Sequence, residues 1–245
     1  MIKGICFDLW ETIAYSVKGK ASQEMRKKLK LKGEGSYQFT KLYEKSMMLK
    51  PYNSSKAKIS RFLTSEARKG SYDDLKLDFR NLCRNLGIKP KNKLILDLEQ
   101  TFKKVNKKSY LELFPEVISV LENLKKKGLK LALISNTTSY SFEKLNQKFN
   151  LKNYFDAVSL SFEIGSLKPQ PKIFQWVISK LNLKPSEILM VGDNLKDDIK
   201  AAQKVGMKAV LVDRKRNYPS QKSIKNLKEI FKLLKEEKCT RQQLD

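Results

Sequence analysis

Ile188-Leu189-Met190-Val191-Gly192-Asp193-Asn194 is an unbroken apolar run that ends on a glycine and a carboxylate. Four large apolar residues in a row, without polar alternation, suit a strand buried on both faces, as in a parallel sheet. Gly192 and Asp193 mark where that strand would give way to a loop. A helical pattern near 197–205 and a second apolar run at 209–212 follow, so the segment reads as strand, helix, strand.

Working outward, the same unit recurs. The run 129–135 ends on Ser135-Asn136, a short apolar run occupies 157–160, and residues 2–8 form a largely apolar run closing on Asp8. Helical patterns fall near 139–149 and 170–181, and a final amphipathic helix is predicted to carry Ile224, Leu227, Phe231 and Leu234. Before strand 129–135, Pro115 opens a helix with Val117, Val120, Leu121 and Leu124 on one face and Gly128 as its C-cap. The pattern changes between 15 and 111, where no strand is convincing. There apolar residues keep helical spacing: Phe39, Leu42, Tyr43 and Met47, then Leu75, Phe79, Leu82 and Leu86, then Ile95, Leu98, Phe102 and Val105. The predicted architecture is α/β, a doubly wound parallel sheet of Rossmann-like type built from residues 1–14 and 112–245, with an inserted α-helical cap domain over 15–111.

Composition narrows the chemistry. The 245 residues carry 51 Lys and Arg against 26 Asp and Glu, a net charge of +25, and contain no histidine. Without an imidazole there is no Ser-His-Asp or Cys-His catalysis and no His-ligated zinc site, so carboxylates, lysines and a hard metal ion remain. Cys6, Cys83 and Cys239 lie far apart with no CxxC pairing, which fits a reducing compartment. No apolar run approaches the roughly 20 residues that span a bilayer, and Asp8 comes too early for the apolar region of a signal peptide. A cytoplasmic protein without a membrane partner is expected. The positive charge is lysine scattered along the chain, without aromatic and glycine patterning. It reads as a solvated surface more readily than as a nucleic-acid interface.

In an open α/β sheet the carboxyl ends of the strands converge on one crevice. Four polar signatures would meet there. Asp8 suits a nucleophile, with a loop-entry cap as the structural alternative. Ser135-Asn136 offers a hydroxyl and N–H groups to an anion, or simply caps a helix. Lys168, in Gly165-Ser166-Leu167-Lys168-Pro169, is anchored by the following proline. Asp193, with Asp197 and Asp198 about one turn later, supplies hard oxygen ligands of the kind Mg²⁺ favours, although the last two could answer the helix dipole instead.

Taken in order, these residues resemble the haloacid dehalogenase superfamily of hydrolases. The likeness rests on Asp8 and Thr12 (DxxxT), on Ser135-Asn136 after an apolar strand, on Gly165, Lys168, Pro169, Ile173 and Phe174, and on Val191-Gly192-Asp193 running to Met207. The helical insertion sits where the family's type-one cap does. The resemblance implies that Asp8 is the nucleophile and that Lys168 holds Asp8 and substrate oxygens. Thr12 and Ser135 with its neighbour Asn136 would bind the transferring group. Asp8, Asp193 and the main-chain carbonyl of Trp10 would hold Mg²⁺, supported by Asp197 or Asp198.

One position departs from the pattern. Family phosphatases usually carry an aspartate two residues after the nucleophile as general acid, and here that residue is Trp10. The family's dehalogenases carry an aromatic residue there, yet tend to lose the Gly-Asp metal ligand that this chain keeps. The expected function is a Mg²⁺-dependent hydrolase of small phosphorylated metabolites acting through an aspartyl phosphate. The alternatives are a metal-independent L-2-haloacid dehalogenase using the same aspartate, and a catalytically weak binding protein. Tyr15, Phe39, Tyr43 and Arg61 are the cap's aromatic and basic candidates for substrate contact, each also readable as packing or surface.

Overall fold

The structure is a computed structural model and describes residues 1–16, 21–31, 72–108, 110–218 and 223–242. In chain order the strands are β1 (Gly4–Phe7), β2 (Ala14–Ser16), β3 (Leu111–Leu113), β4 (Lys130–Ser135), β5 (Ala157–Leu160), β6 (Ile188–Gly192), β7 (Lys208–Val212) and β8 (Ser223–Ile224). Six of them form one sheet in the order β5-β4-β1-β6-β7-β8, and β2 and β3 form a separate two-stranded sheet. Every pairing in the large sheet is parallel.

β1 is the pivot of the sheet. The chain builds outward from it through β4 and β5 on one side, then through β6, β7 and β8 on the other. Such a reversal of direction is the switch point at which open α/β sheets place their sites. The register puts Phe7 opposite Leu133 on β4 and Val191 on β6, so the residues that follow these strands emerge at one edge.

On one face of the sheet Cys6, Ala132, Ile134 and Met190 pack with Ile173, Phe174, Val177 and Leu181 from the helix Pro171–Leu181, and with Ala201 and Ala202. These side chains alternate along their strands because successive residues point to opposite faces. Cys6 behaves here as a small hydrophobe, with burial pushing its thiol well above the usual range.

Contacts divide the chain into two compact units. One comprises Met1–Tyr15, Glu112–Asn136 and Leu145–Asp245, and the other Ser16–Leu111 with Thr137–Lys144. Residues 137–144 thus group with the helical insertion although sequence periodicity joins them to the sheet core, because the period of a helix does not say which body it packs on. In the insertion, helices Ala21–Lys28, Tyr72–Asn85 and Asn92–Lys108 enclose a core of Met25, Phe79, Leu82, Cys83, Ile95, Leu98 and Phe102. The Phe79 and Phe102 rings meet edge to face at 6.0 Å. The spacing Phe39, Leu42, Tyr43, Met47 and the residue Arg61 lie outside the described residues.

Three expectations need correction. Between 15 and 111 the chain contributes to two strands, β2 and β3, each of three residues and too short to show alternation. Ile224 belongs to β8, not to the last helix, and Leu227 to a 3-10 turn; the helix begins only at Ile230. Asn226, whose side chain accepts from the Lys228 N–H, separates strand from helix within a spacing that mimics a helical period. The helix placed near 197–205 starts earlier, as a π-helical turn over Leu195–Lys200 that runs into Ala201–Lys204. Among the described residues no helix is long and apolar enough to cross a membrane.

Candidate active site

Asp8 is the first residue beyond β1, and its N–H still donates to the Val191 carbonyl at 2.8 Å, so its position is set by the sheet. The chain then folds back on itself. The N–H groups of Ile13 and Ala14 both donate to the Leu9 carbonyl, that of Glu11 donates to Ala14, and Glu11 takes a left-handed φ of 59°. Trp10 lies in this loop in an isolated bridge with Ala14. Thr12 is buried, with Oγ1 3.5 Å from Asp8 Oδ2.

Lys168 reaches this carboxylate from the far side of β4. Its Nζ lies 2.5 Å from Asp8 Oδ1 and 2.5 Å from Asp198 Oδ1, and the side chain is 5% exposed. The main chain of Lys168 is held by Asn136: the amide Oδ1 accepts from the Lys168 N–H at 2.8 Å, and Nδ2 donates to the Lys168 carbonyl at 3.1 Å. The side chain of Asn136 therefore holds the main chain of the lysine.

The third partner depends on the π-helical turn. The Asn194 side chain accepts from the N–H groups of Lys196 and Asp197, while its carbonyl accepts from Asp198 and, one residue further, from Ile199. That wider turn brings Asp198 back over the end of β6. Its Oδ1 meets Lys168, its Oδ2 accepts from the Asn194 N–H at 3.0 Å, and the residue is fully buried. Asp197 stays outside the cluster. Of the two aspartates left open by sequence, the structure brings Asp198 to the site. Gly192 makes room for it, because a Cβ there would stand 2.4 Å from Asp198 Oδ2. In the sequence this glycine marks a strand end and part of a family motif, and nothing there signals the clearance it gives Asp198.

Asp8, Asp193 and Asp198 each offer a carboxylate oxygen within 4.8 Å of the others. Three carboxylates against the one Lys168 ammonium leave two negative charges, which suits a divalent cation. Hard oxygen donors at the end of a strand fit Mg²⁺ by chemistry as well as by charge. The crowding shifts the pKa of Asp8, Asp193 and Lys168. Burial, with Asp198 and Asp193 adding to it and Lys168 opposing, pushes Asp8 up to about 7. Burial and Asp198 push Asp193 up to about 6. Burial works against the Lys168 ammonium, but Asp198 and Asp8 outweigh it and hold its pKa above the ordinary value.

At the end of β4 the Ser135 hydroxyl is fully buried and has no hydrogen-bond partner among the described residues. Buried hydroxyls are nearly always satisfied. A ligand with acceptor oxygens would satisfy this one, and Thr12, Lys168 and the three aspartates line the same end of the sheet.

The sequence model of the haloacid dehalogenase-like hydrolase family matches residues 52–212, and the chain belongs to that family. The matched span contains Ser135, Asn136, Lys168, Asp193 and Asp198, while Asp8 precedes it. The chain is 36% identical over 137 residues to a glyceraldehyde 3-phosphate phosphatase of Methanopyrus kandleri, covering 56% of this chain and 58% of that one. It is 37% identical over 103 residues to a phosphoserine phosphatase of Thermus thermophilus, covering 42% and 41%. It thus spans about half the length of the curated relatives it matches. The crystal structure of a phosphatase of this family from Thermococcus onnurineus superposes with a TM-score of 0.56 at 27% identity, covering 95% of this chain and 98% of that one. A 2-haloacid dehalogenase from Pseudomonas syringae shares the fold, with a TM-score of 0.58 at 20% identity over 96% and 99% of the chains.

The clearance over Gly192 is open to a direct test. Gly192→Ala crowds Asp198 against Lys168, so the variant is expected to lose about 1–3 kcal/mol of stability, as overpacked sites do. A thermal melt measures it, and an unchanged Tm contradicts the role given to Gly192.

Proposed function

We propose that the protein is a Mg²⁺-dependent phosphatase of small phosphorylated metabolites that works through an aspartyl phosphate on Asp8. The observation that carries this reading is the cluster of Asp8, Asp198 and the half-buried Asp193, in which Lys168 bridges Asp8 and Asp198, with the Ser135 hydroxyl, unpartnered among the described residues, at the same strand ends. The relatives named as phosphatases support it, and the buried, free Cys6 and Cys83 suit a reducing, cytoplasmic setting.

Asp8, Asp193 and the Trp10 main-chain carbonyl are the proposed metal ligands, with Asp198 holding Lys168 and supporting the site. When bound, Mg²⁺ supplies positive charge to the transferring phosphoryl oxygens. The protein groups do the rest. Lys168 offsets part of the burial that disfavours ionised Asp8, and aims it. Ser135 and Thr12 donate to the phosphoryl oxygens, and Asn136 fixes Lys168. Attack by the Asp8 carboxylate on phosphorus breaks the bond to the leaving oxygen and forms an acyl phosphate. Water then attacks phosphorus, releasing inorganic phosphate and regenerating Asp8.

Dehalogenation is the second reading, favoured by Trp10 alone. The two separate cleanly: p-nitrophenyl phosphate hydrolysis that dies in EDTA supports the phosphatase. Turnover of 2-chloropropionate that ignores EDTA, with no phosphatase activity, overturns it.

Three outcomes follow from the geometry. Protons compete with metal at Asp8, with its pKa near 7, and at Asp193, near 6. Both groups must ionise to bind it, so Mg²⁺ affinity is expected to fall as pH drops through 7 and then 6, by about tenfold per pH unit for each proton displaced. Calorimetry without substrate reads this, and a flat profile contradicts it. Ser135→Ala is expected to leave the ligand-free protein at least as stable, because an unsatisfied buried hydroxyl costs about 1–3 kcal/mol. The rise in Tm given by inorganic phosphate with Mg²⁺ should shrink in that variant; an undiminished rise argues against Ser135 as a phosphate donor. Finally, Trp10 offers no carboxylic acid to a leaving oxygen, and a positioned general acid is typically worth about 10² to 10⁴ in rate. Aryl and acyl phosphates should therefore be cleaved far faster than alkyl phosphates, with Trp10→Asp narrowing the gap. A wild-type rate independent of leaving-group pKa contradicts this.

A further inference from the structure

Arg214 stands at the end of β7, outside every motif that the site uses. Asp213, 6% exposed, ties down the loop that carries it: its carboxylate accepts from the N–H groups of Asn217 and Tyr218 at 2.8 and 2.7 Å, and its own N–H donates to the Ile224 carbonyl. From this fixed base the Arg214 guanidinium turns inward. Its Nη2 donates to the main-chain carbonyl of Thr12 at 2.7 Å and lies 2.8 Å from Glu116 Oε1, and its Cζ sits 3.6 Å from the centre of the Phe114 ring. The side chain is only 15% exposed.

Phe114, whose ring the guanidinium faces, is itself tied to the loop after β1. The Phe114 N–H donates to the Ile13 carbonyl, and its ring lies 4.7 Å from that of Tyr15. Glu116 also accepts from the Leu227 N–H at 3.3 Å, which anchors it independently of Arg214. The adjacent Lys215 pairs with Glu11 at 3.3 Å. The loop from Leu9 to Ala14 is thus closed on itself by main-chain bonds, and its outer side is gripped by one planar cation. That cation is fixed by a carboxylate and an aromatic face. Charge-assisted bonds of this geometry are about twice as strong as neutral ones, and a guanidinium's fork loses little freedom in making them.

We propose that Arg214 is a positioning residue for the nucleophile loop: by holding the Thr12 carbonyl it sets the place of Thr12 Oγ1 beside Asp8 and keeps both aligned with the transferring group. The proposal rests on the phosphatase reading for its catalytic consequence, but not for its structural one. Misplacement of reacting groups by about 1 Å can cost a hundredfold in rate without touching substrate affinity. The signature is therefore a loss in kcat, not in KM.

The test compares Arg214→Met, which keeps length and packing, with Arg214→Lys and Glu116→Gln. kcat and KM for p-nitrophenyl phosphate are measured at saturating Mg²⁺, and amide exchange is followed over residues 9–14 in the ligand-free protein. Arg214→Met should lose about ten- to a hundredfold in kcat with KM within about threefold, and exchange over 9–14 should quicken. Arg214→Lys should regain part of both, because an ammonium can still donate to the Thr12 carbonyl, and Glu116→Gln should fall between it and the parent. If Arg214→Met does not fold, the other two variants decide on the same measurements. A kcat within about twofold of the parent with unchanged exchange overturns the proposal. A wild type that does not hydrolyse the phosphate ester refutes the phosphatase reading alone, and the exchange over 9–14 then decides the positioning role by itself.

Discussion

The ammonium of Lys168, held between the carboxylates of Asp8 and Asp198, is the interaction on which the rest of the site depends. None of the three residues is more than 6% exposed. A buried charge without a partner costs several kcal/mol, and removing one member of a buried pair leaves the other uncompensated. The three charges come from different segments, the loops after β1 and β5 and the π-helical turn after β6. Those segments must therefore be placed together before any of the three is tolerable, and most of the local structure at the sheet's edge can be read as that placement.

Two devices meet the demand from opposite sides. Asn136 grips the main chain of Lys168 with both atoms of its amide, so the lysine enters the crevice from a fixed base. The π-helical turn after Asn194 shifts the phase by one residue, and Gly192 leaves space for the carboxylate that this shift delivers. The resulting cluster stays short of neutrality. Burial and the neighbouring carboxylates raise the pKa of Asp8 and Asp193, and a divalent cation at the cluster would favour their ionised forms.

Much of this was legible in sequence because parallel strands announce themselves. A both-faces-buried strand is an apolar run, and a polar residue at its carboxyl end stands out against it. β1, β4 and β6 are read in this way, together with Asp8, Ser135 and Asp193. What was not legible depends on phase or on distance. Asp197 and Asp198 are adjacent and chemically identical, and only a turn one residue wider than an α-helix selects between them. Asn136 looks the same whether it caps a helix, binds an anion or clamps a lysine 32 residues away. Ile224 and Leu227 keep a helical interval although one lies in a strand. Arg214 is one of 51 basic residues, and nothing local distinguishes the one that is turned inward.

The central claim is that Asp8, held by Lys168, is the nucleophile that attacks phosphorus. Quenching the enzyme during steady turnover of an acyl phosphate with Mg²⁺, then reducing with borohydride, converts an aspartyl phosphate to homoserine, which peptide mass spectrometry locates. The account predicts homoserine at position 8, absent when Mg²⁺ is withheld. Turnover that proceeds with Asp8 unmodified, or with the modification on another carboxylate, contradicts it.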